Sequence, residues 1–349
     1  MENKKIKVAI LFGGQSAEHE VSQKSTHALF SNLDKDKFDP ILVYIDRKGM
    51  WRIMPVESFL KNDFSPTPGH SFLPWQMDTV KRIDADIYFP MLHGPNGEDG
   101  RVQALLELSG QPFVGANSFS SGLAMDKVTS KILFKNAGLN VGDFLFFETT
   151  DFNHIKKSIA EKLTYPLFIK PSSMGSSVGI TKVCREEELK PALDLASRYD
   201  RKILVEKGLD IREIEVSVMG NDDIKVSRPG ELIPHNEFYD YKDKYLNGKT
   251  TFYLPAHLDA ETEAEVRRVA GKAYKALFLN GMARVDLFIE KSTATIYVNE
   301  INTIPGFTEI SMFPKLWTLE GISFTDLVTR LIEYGFAFYE KTKNFSADL

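Results

Sequence analysis

The sequence predicts an α/β chain of more than one domain that opens on a doubly wound parallel sheet. Three observations carry this. Short apolar runs alternate with stretches of 3.6-residue apolar period through the first third, the pattern of parallel βαβ units. A different rhythm, of strands interleaved with helices, follows from about residue 140. The chain has 349 residues, 43% of them apolar, and at about 150 residues per domain that is two to three domains, each able to bury a core.

The elements follow in order. Residues 7–12 form a strand ending at Gly13-Gly14, and Val21, Ser25, Ala28 and Leu29 set the period of a helix over 16–33. Strands are expected at 41–45 and 86–92, then an amphipathic helix at 102–108 and a short strand at 112–115. Pro66-Thr67-Pro68-Gly69 lies in a loop. A helix over 118–137 ends at Gly138. Strands at 143–147, 167–170, 180–183 and 203–206 come with helices at 152–163 and 186–198. Strands at 214–219, 283–290 and 295–301 and helices at 260–279 and 324–336 complete the chain. With no repeat or low-complexity linker, the domain joints fall in ordinary loops near residues 120 and 206.

Composition excludes several classes. Forty-three basic against 48 acidic side chains, a net charge of −5, leave no basic excess for nucleic acid. No apolar run approaches the ~20 residues that span a bilayer, and the apolar start at 8–12 is too short for a signal peptide. A lone Cys184 cannot form an internal disulfide, which favours the cytoplasm.

Four segments carry chemistry. Gly13-Gly14-Gln15-Ser16-Ala17-Glu18 sits at a strand-to-helix turn, where α/β folds bind ligands. It lacks the GxGxxG of dinucleotide sites, and Ser16 as N-cap with Glu18 on the helix dipole is the plainer alternative. The loop from His93 to Gly100 follows an apolar strand, and either contacts ligand or simply turns into the next helix, with His93 a structural histidine. Lys170 closes a strand before the Ser/Gly-rich loop 171–179, which suits phosphate, whereas an ordinary hairpin would leave Lys170 without a partner. The strongest signal is acidic. Glu300 and Asn302 share one strand face, and Asp286, two residues after Arg284, lies on a strand that can pair with theirs. Such oxygen ligands suit magnesium bridging nucleotide phosphates, and the alternative is an Arg–carboxylate pair at a sheet edge.

In this order, GGQSAEHEVS (13–22), LHGPNGEDG (92–100), AMDK (124–127), KPSSMGSSVG (170–179), FYDYKDKY (238–245), GMARVD (281–286) and NEINTIPGFT (299–308) resemble the D-alanine–D-alanine ligase family of the ATP-grasp superfamily. The likeness runs over residues 8–335. It implies a three-domain ATP-grasp fold: a Rossmann-like N-terminal domain (1–120), a central ATP-grasp subdomain (121–205) and a C-terminal ATP-grasp domain (206–349). It further implies ATP-dependent joining of two D-alanine molecules through an acyl phosphate, for peptidoglycan precursor synthesis, by a homodimer.

Carried over position by position, the resemblance assigns Lys127, Lys170 and Lys244 to ATP phosphates. Glu206, Lys207 and Leu209 fall at the adenine segment and Glu213 at the ribose. Asp286, Glu300 and Asn302 match the ligands of two Mg2+ ions (Mn2+ being an alternative), with Glu300 bridging. Glu18 matches the residue receiving the first D-alanine's ammonium, with His93 near the same substrate. Ser176 and Tyr245 complete a Glu–Ser–Tyr contact. Arg284 and the Gly306 N–H match the oxyanion site, and Ser311 and Met312 flank the second D-alanine. Relatives that make the D-lactate ester usually have histidine in the tyrosine's role, so Tyr245 favours the dipeptide. A nicotinamide oxidoreductase is disfavoured by the missing GxGxxG and by the Asp286/Glu300/Asn302 set. A catalytically dead nucleotide sensor would show a lost ligand or lysine, and none is lost. An ATP-grasp ligase for a different amino acid is the nearer alternative.

Overall fold

The computed structural model describes residues 4–65, 76–148, 151–233 and 251–343. Its first sheet is built on β1 (Ile6–Gly13), flanked in parallel by β2 (Phe38–Ile45) and β4 (Ile87–Pro90), with β3 (Trp51–Met54) antiparallel on the β2 edge. Residues 8–12 of β1 are wholly buried because both faces are covered. Val8, Ile10 and Phe12 enter one core and Ala9 and Leu11 another, the two-residue period of a strand. Helices α1 (His19–Ser31), α2 (Val56–Leu60), α3 (Met77–Arg82) and α4 (Arg101–Leu108) complete this layer.

Three sequence expectations are corrected here. The first helix starts at His19 rather than 16, since residues 14–18 bend into a turn tied by Ser16 Oγ to the His93 carbonyl at 2.6 Å. The strand expected at 112–115 reduces to one parallel bridge between Tyr88 and Phe113. The helix expected over 118–137 is two, α5 (Ser118–Met125) and α6 (Lys127–Asn136), broken at Asp126 (φ −82°, ψ 100°).

A second sheet, antiparallel, has the order β5 (Phe144–Phe147), β8 (Ile203–Lys207), β6 (Leu167–Pro171), β7 (Thr181–Val183), covered on one face by α7 (Phe152–Lys162) and α8 (Leu189–Ala196). The third is also antiparallel. Its order is β12 (Thr251–Tyr253), β11 (Gly230–Ile233), β9 (Ile211–Gly220), β13 (Met282–Glu290), β14 (Ile296–Asn302), with β10 (Ile224–Val226) paired to β9. Helix α9 (Ala260–Ala276) covers it through Val266, Ala270 and Ala273, together with Phe134 of α6. The chain then returns: α10 (Met312–Leu319) and α11 (Phe324–Thr342) supply Phe313, Trp317, Leu327 and Leu331 to the first sheet's core. Among the described residues no helix is long and apolar enough to cross a membrane.

Candidate functional site

Strand alternation builds the site. On the second sheet Leu167, Ile169, Ile203 and Val205 point into the core, so Phe168, Lys170, Leu204 and Glu206 emerge together on the other face. On the third, Val216, Val285, Leu287 and Ile301 enter the core. That leaves Glu213, Glu215, Arg284, Asp286 and Glu300 on the open face, where Asp286 stands directly opposite both Glu215 and Glu300. A bulge between Asp286 and Leu287 shifts the register just beside these carboxylates. Between the two polar faces lies a cavity of about 880 Å³, lined among others by Lys127, Lys170, Glu206, Leu209, Asp286 and Glu300. Lys207, Glu213, Ser176 and Arg284 also line it. That volume suits a nucleotide-sized ligand.

Several cations of the cavity are matched by carboxylates. Glu206 takes Lys131 Nζ on one oxygen (2.7 Å) and Lys170 Nζ on the other (2.6 Å). Burial would raise the Glu206 pKa, but the two ammonium groups override it and bring it to about 2. Burial lowers the Lys131 pKa despite Glu206, with Lys170 adding repulsion. At Lys170 burial acts the same way, but Glu206 outweighs it and the pKa is raised. Lys127 Nζ lies 3.3 Å from Glu300 and donates to the Met174 carbonyl at 2.7 Å. Arg284 grips both Asp286 oxygens (2.6 and 2.7 Å), and Asn302 Nδ2 donates to Asp286 at 2.9 Å.

Asp126 explains why α6 begins where it does. Its side chain caps the helix through the Thr129 N–H (2.9 Å) and accepts from Ser172 Oγ (2.9 Å) and Lys202 Nζ (2.7 Å). The start of α6, and with it Lys127, is thereby fastened to the base of the 171–179 loop.

The amino-terminal turn meets that loop from the other side. Glu18 accepts a hydrogen bond from Ser176 Oγ. A Cβ on Gly94 (φ +74°) would stand 2.7 Å from Glu18 Oε2, so only glycine leaves the carboxylate its place. A smaller cavity of about 250 Å³ opens here, lined by Ser16, Glu18, Asn96 and Ser176. Behind it His93 is buried, with Nδ1 3.0 Å from the Ile304 carbonyl and Nε2 2.9 Å from Ser25 Oγ. A carbonyl can only accept, so Nδ1 carries a proton. Burial alone would lower the His93 pKa, yet Glu98, 3.6 Å away, and Glu18 raise it. The Glu98 pKa is itself raised by burial, His93 opposing. Ser25 Oγ also accepts from the Phe307 N–H (3.3 Å), joining α1 to the 304–308 turn.

The comparisons decide the family. The model of the D-ala D-ala ligase N-terminus matches residues 7–116, and that of the D-ala D-ala ligase C-terminus matches 133–333. The chain belongs to the D-alanine–D-alanine ligase family. A D-alanine–D-alanine ligase of Thermoanaerobacter sp. (strain X514) is 50% identical, over 95% of this chain and 96% of its own. That of Natranaerobius thermophilus is 42% identical over 99% of each. Among solved structures, the VanG D-Ala:D-Ser ligase from Enterococcus faecalis has a TM-score of 0.87 at 38% identity, covering 95% of this chain and 100% of its own. The D-alanine-D-alanine ligase from Coxiella burnetii has a TM-score of 0.84 at 33% identity, covering 98% and 97%. Both neighbours carry the ATP-grasp fold, as does this family member.

In this ligase-family chain the residues singled out from the sequence fall at three places. Those of the second and third sheets line the large cavity except Asn302, which is held beside it by its bond to Asp286; Glu18 lines the small one, and Ser176 lines both. Gly306 and Ser311 adjoin each other: a Cβ on Gly306 would lie 3.0 Å from Ser311 Oγ, which also accepts from the Thr308 N–H at 3.0 Å. Met312 is buried with its sulfur against Gly230 and lines neither cavity. Lys244 and Tyr245 lie outside the described residues. Sequence reasoning missed Lys131, Asp126, Lys202 and Ser25. For Lys131 a signal existed: it stands four residues after Lys127, on the same helix face.

Proposed function

We propose that this protein joins two D-alanine molecules to D-alanyl-D-alanine with cleavage of ATP to ADP and phosphate, for peptidoglycan precursor synthesis. The observation that carries this reading is the pairing of two polar sheet faces around one nucleotide-sized cavity, beside a small pocket floored by Glu18, in a chain of this family.

Lys127 and Lys170 would take the nucleotide phosphates, with Lys244 added from 234–250. Glu206, Lys207 and Leu209 would meet the base and Glu213 the ribose. The acidic set fits a divalent cation in its donor chemistry. Among the described residues no three His, Cys, Asp or Glu side chains form a ready-made metal cluster. Magnesium bridging phosphates, however, takes only one or two carboxylates from the protein and the rest from phosphate and water. Asp286, Glu300 and Asn302 would hold two Mg2+ ions, which would neutralise charge on the transferring phosphoryl group. Glu18 would receive the first D-alanine's ammonium, with His93 behind it. The substrate carboxylate then attacks the γ-phosphorus and ADP leaves, giving an acyl phosphate. The second D-alanine's amine, beside Ser311, attacks the acyl carbon and phosphate departs; Met312, buried behind Ser311, would shape that site only indirectly. Arg284 and the Gly306 N–H would bind the tetrahedral oxyanion, a role in which one lost donor costs ~10²–10³ in rate. Ser176 and Tyr245, with Glu18, would close the site against water. We further propose a homodimer, testable by sedimentation.

The likeness to a D-Ala:D-Ser ligase supports D-serine as a second reading for the second amino acid. The deciding experiment measures phosphate release and product identity with ATP, magnesium and D-alanine alone, then with D-serine, D-lactate or L-alanine added. D-Alanine-dependent release yielding the dipeptide is expected. No turnover with D-alanine, or equal turnover with L-alanine, would overturn the assignment. A dominant D-alanyl-D-serine product would establish the second reading.

A further inference from the structure

We propose that Lys131 is a positioning residue for nucleotide phosphate: by holding one oxygen of Glu206, it leaves Lys170 able to leave the other for a phosphate. The inference rests on the nucleotide reading above and assigns a role to a residue that neither motif nor resemblance singled out.

The geometry is that of a shared carboxylate. Glu206 and Lys170 project from neighbouring strands on the same face of the second sheet, 2.6 Å apart. Lys131 reaches the same carboxylate from α6, 2.7 Å from the remaining oxygen, and is 2% exposed. A buried ammonium without an anion is costly, and so is a buried carboxylate without a cation. Within this trio two ammoniums share one carboxylate, one positive charge in excess, while Glu300 and Glu213 act on Lys170 from further off. A nucleotide phosphate can therefore draw Lys170 away while Lys131 keeps Glu206 paired. Without Lys131, Lys170 is the only one of these two cations left for Glu206, the excess charge is gone, and any phosphate must compete with a buried carboxylate for it. Lys131 does this from a rigid support. It sits one turn beyond Lys127 on a helix whose start Asp126 fastens to the 171–179 loop.

The readout is the ratio of ADP to adenosine affinity, measured by calorimetry on the full chain in magnesium buffer. The ratio cancels contacts to base and ribose and any loss of folded protein. In Lys131→Met it is expected to fall about tenfold, the scale of a charge-assisted hydrogen bond. Lys131→Met/Glu206→Gln, which removes the competing carboxylate, is expected to restore the ratio to that of the wild type. Should Lys131→Met fail to fold, Lys131→Gln, which keeps a hydrogen bond to Glu206 without the charge, is read in its place with the same fall expected. An unchanged ratio in Lys131→Met, or a ratio in the double variant as low as the tenfold-reduced value, would overturn the proposal. Failure of wild-type protein to bind ADP would instead overturn the nucleotide reading, and this inference with it.

Discussion

Ser176→Ala tests whether the small pocket depends on the hydrogen bond that joins the amino-terminal turn to the 171–179 loop. Ser176 Oγ donates to Glu18, whose side chain is buried at 8% exposure. A hydrogen bond to a charged group is worth about 1.5–3 kcal/mol. Ser176 is only half-buried, so the lower end applies, about 1.5 kcal/mol or roughly tenfold in kcat/KM for D-alanine. Backbone conformation complicates the reading, because Ser176 and Ser177 both have positive φ, +51° and +58°. Alanine keeps that strain while removing the hydroxyl, whereas Ser176→Gly removes both. The assay couples ADP release to NADH oxidation at varied D-alanine and at varied ATP. Both variants are expected to lose about tenfold in kcat/KM for D-alanine, with the KM for ATP little changed. Ser176→Ala within about twofold of wild type, or Ser176→Gly restoring wild-type activity, would show that the hydrogen bond does not support the small pocket.

Two further predictions follow from the charge pairs. Glu300→Gln is expected to lower turnover by ~10²-fold or more while leaving the fold intact, since Glu300 is partly exposed and amide replaces carboxylate isosterically; near-normal turnover would remove the metal assignment. Glu206, held at about 2 against an ordinary 4.5, binds fewer protons in the folded chain than in the unfolded one over that interval. Its stabilisation, on the order of 3 kcal/mol, is therefore complete above about pH 4.5 and lost as pH falls through about 2. Denaturation of wild type and Glu206→Gln across pH 7 to 3 should show a stability gap that narrows with acid; a constant gap would contradict it.

How much of this was legible in the sequence depends on whether a feature is local. The open face of the third sheet was: polar residues at two-residue spacing on apolar strands are hard to explain except as one exposed face, and Asp286 does pair with Glu300. The helix break at Asp126 was not. Met125-Asp126-Lys127 contains no glycine or proline, and the break is supported by Ser172 and Lys202, which lie 46 and 76 residues away. Strands β10, β11 and β12, of three or four residues, are too short to show a period. The packing of α11 onto the first sheet was hidden for the same reason as Lys131. An apolar helix face, or a lysine on a helix, says nothing of which distant element it meets.

The acidic cluster shows where sequence reasoning stops even when the residues it names do come together. Two readings stood open, an Arg–carboxylate pair and a set of metal ligands, and the structure contains the first outright: Arg284 takes both oxygens of Asp286. That does not weigh against the second. Of the cation groups named for the reaction, the three among the described residues are each held by a carboxylate, Lys127 by Glu300, Lys170 by Glu206 and Arg284 by Asp286. Buried charges must be paired in the absence of ligand, so a site built for a polyanion and its cations pairs its own groups when empty. Phosphate would take the lysines and metal the carboxylates, exchanging one set of ion pairs for another. An internal salt bridge at this place is therefore compatible with the proposed nucleotide reading.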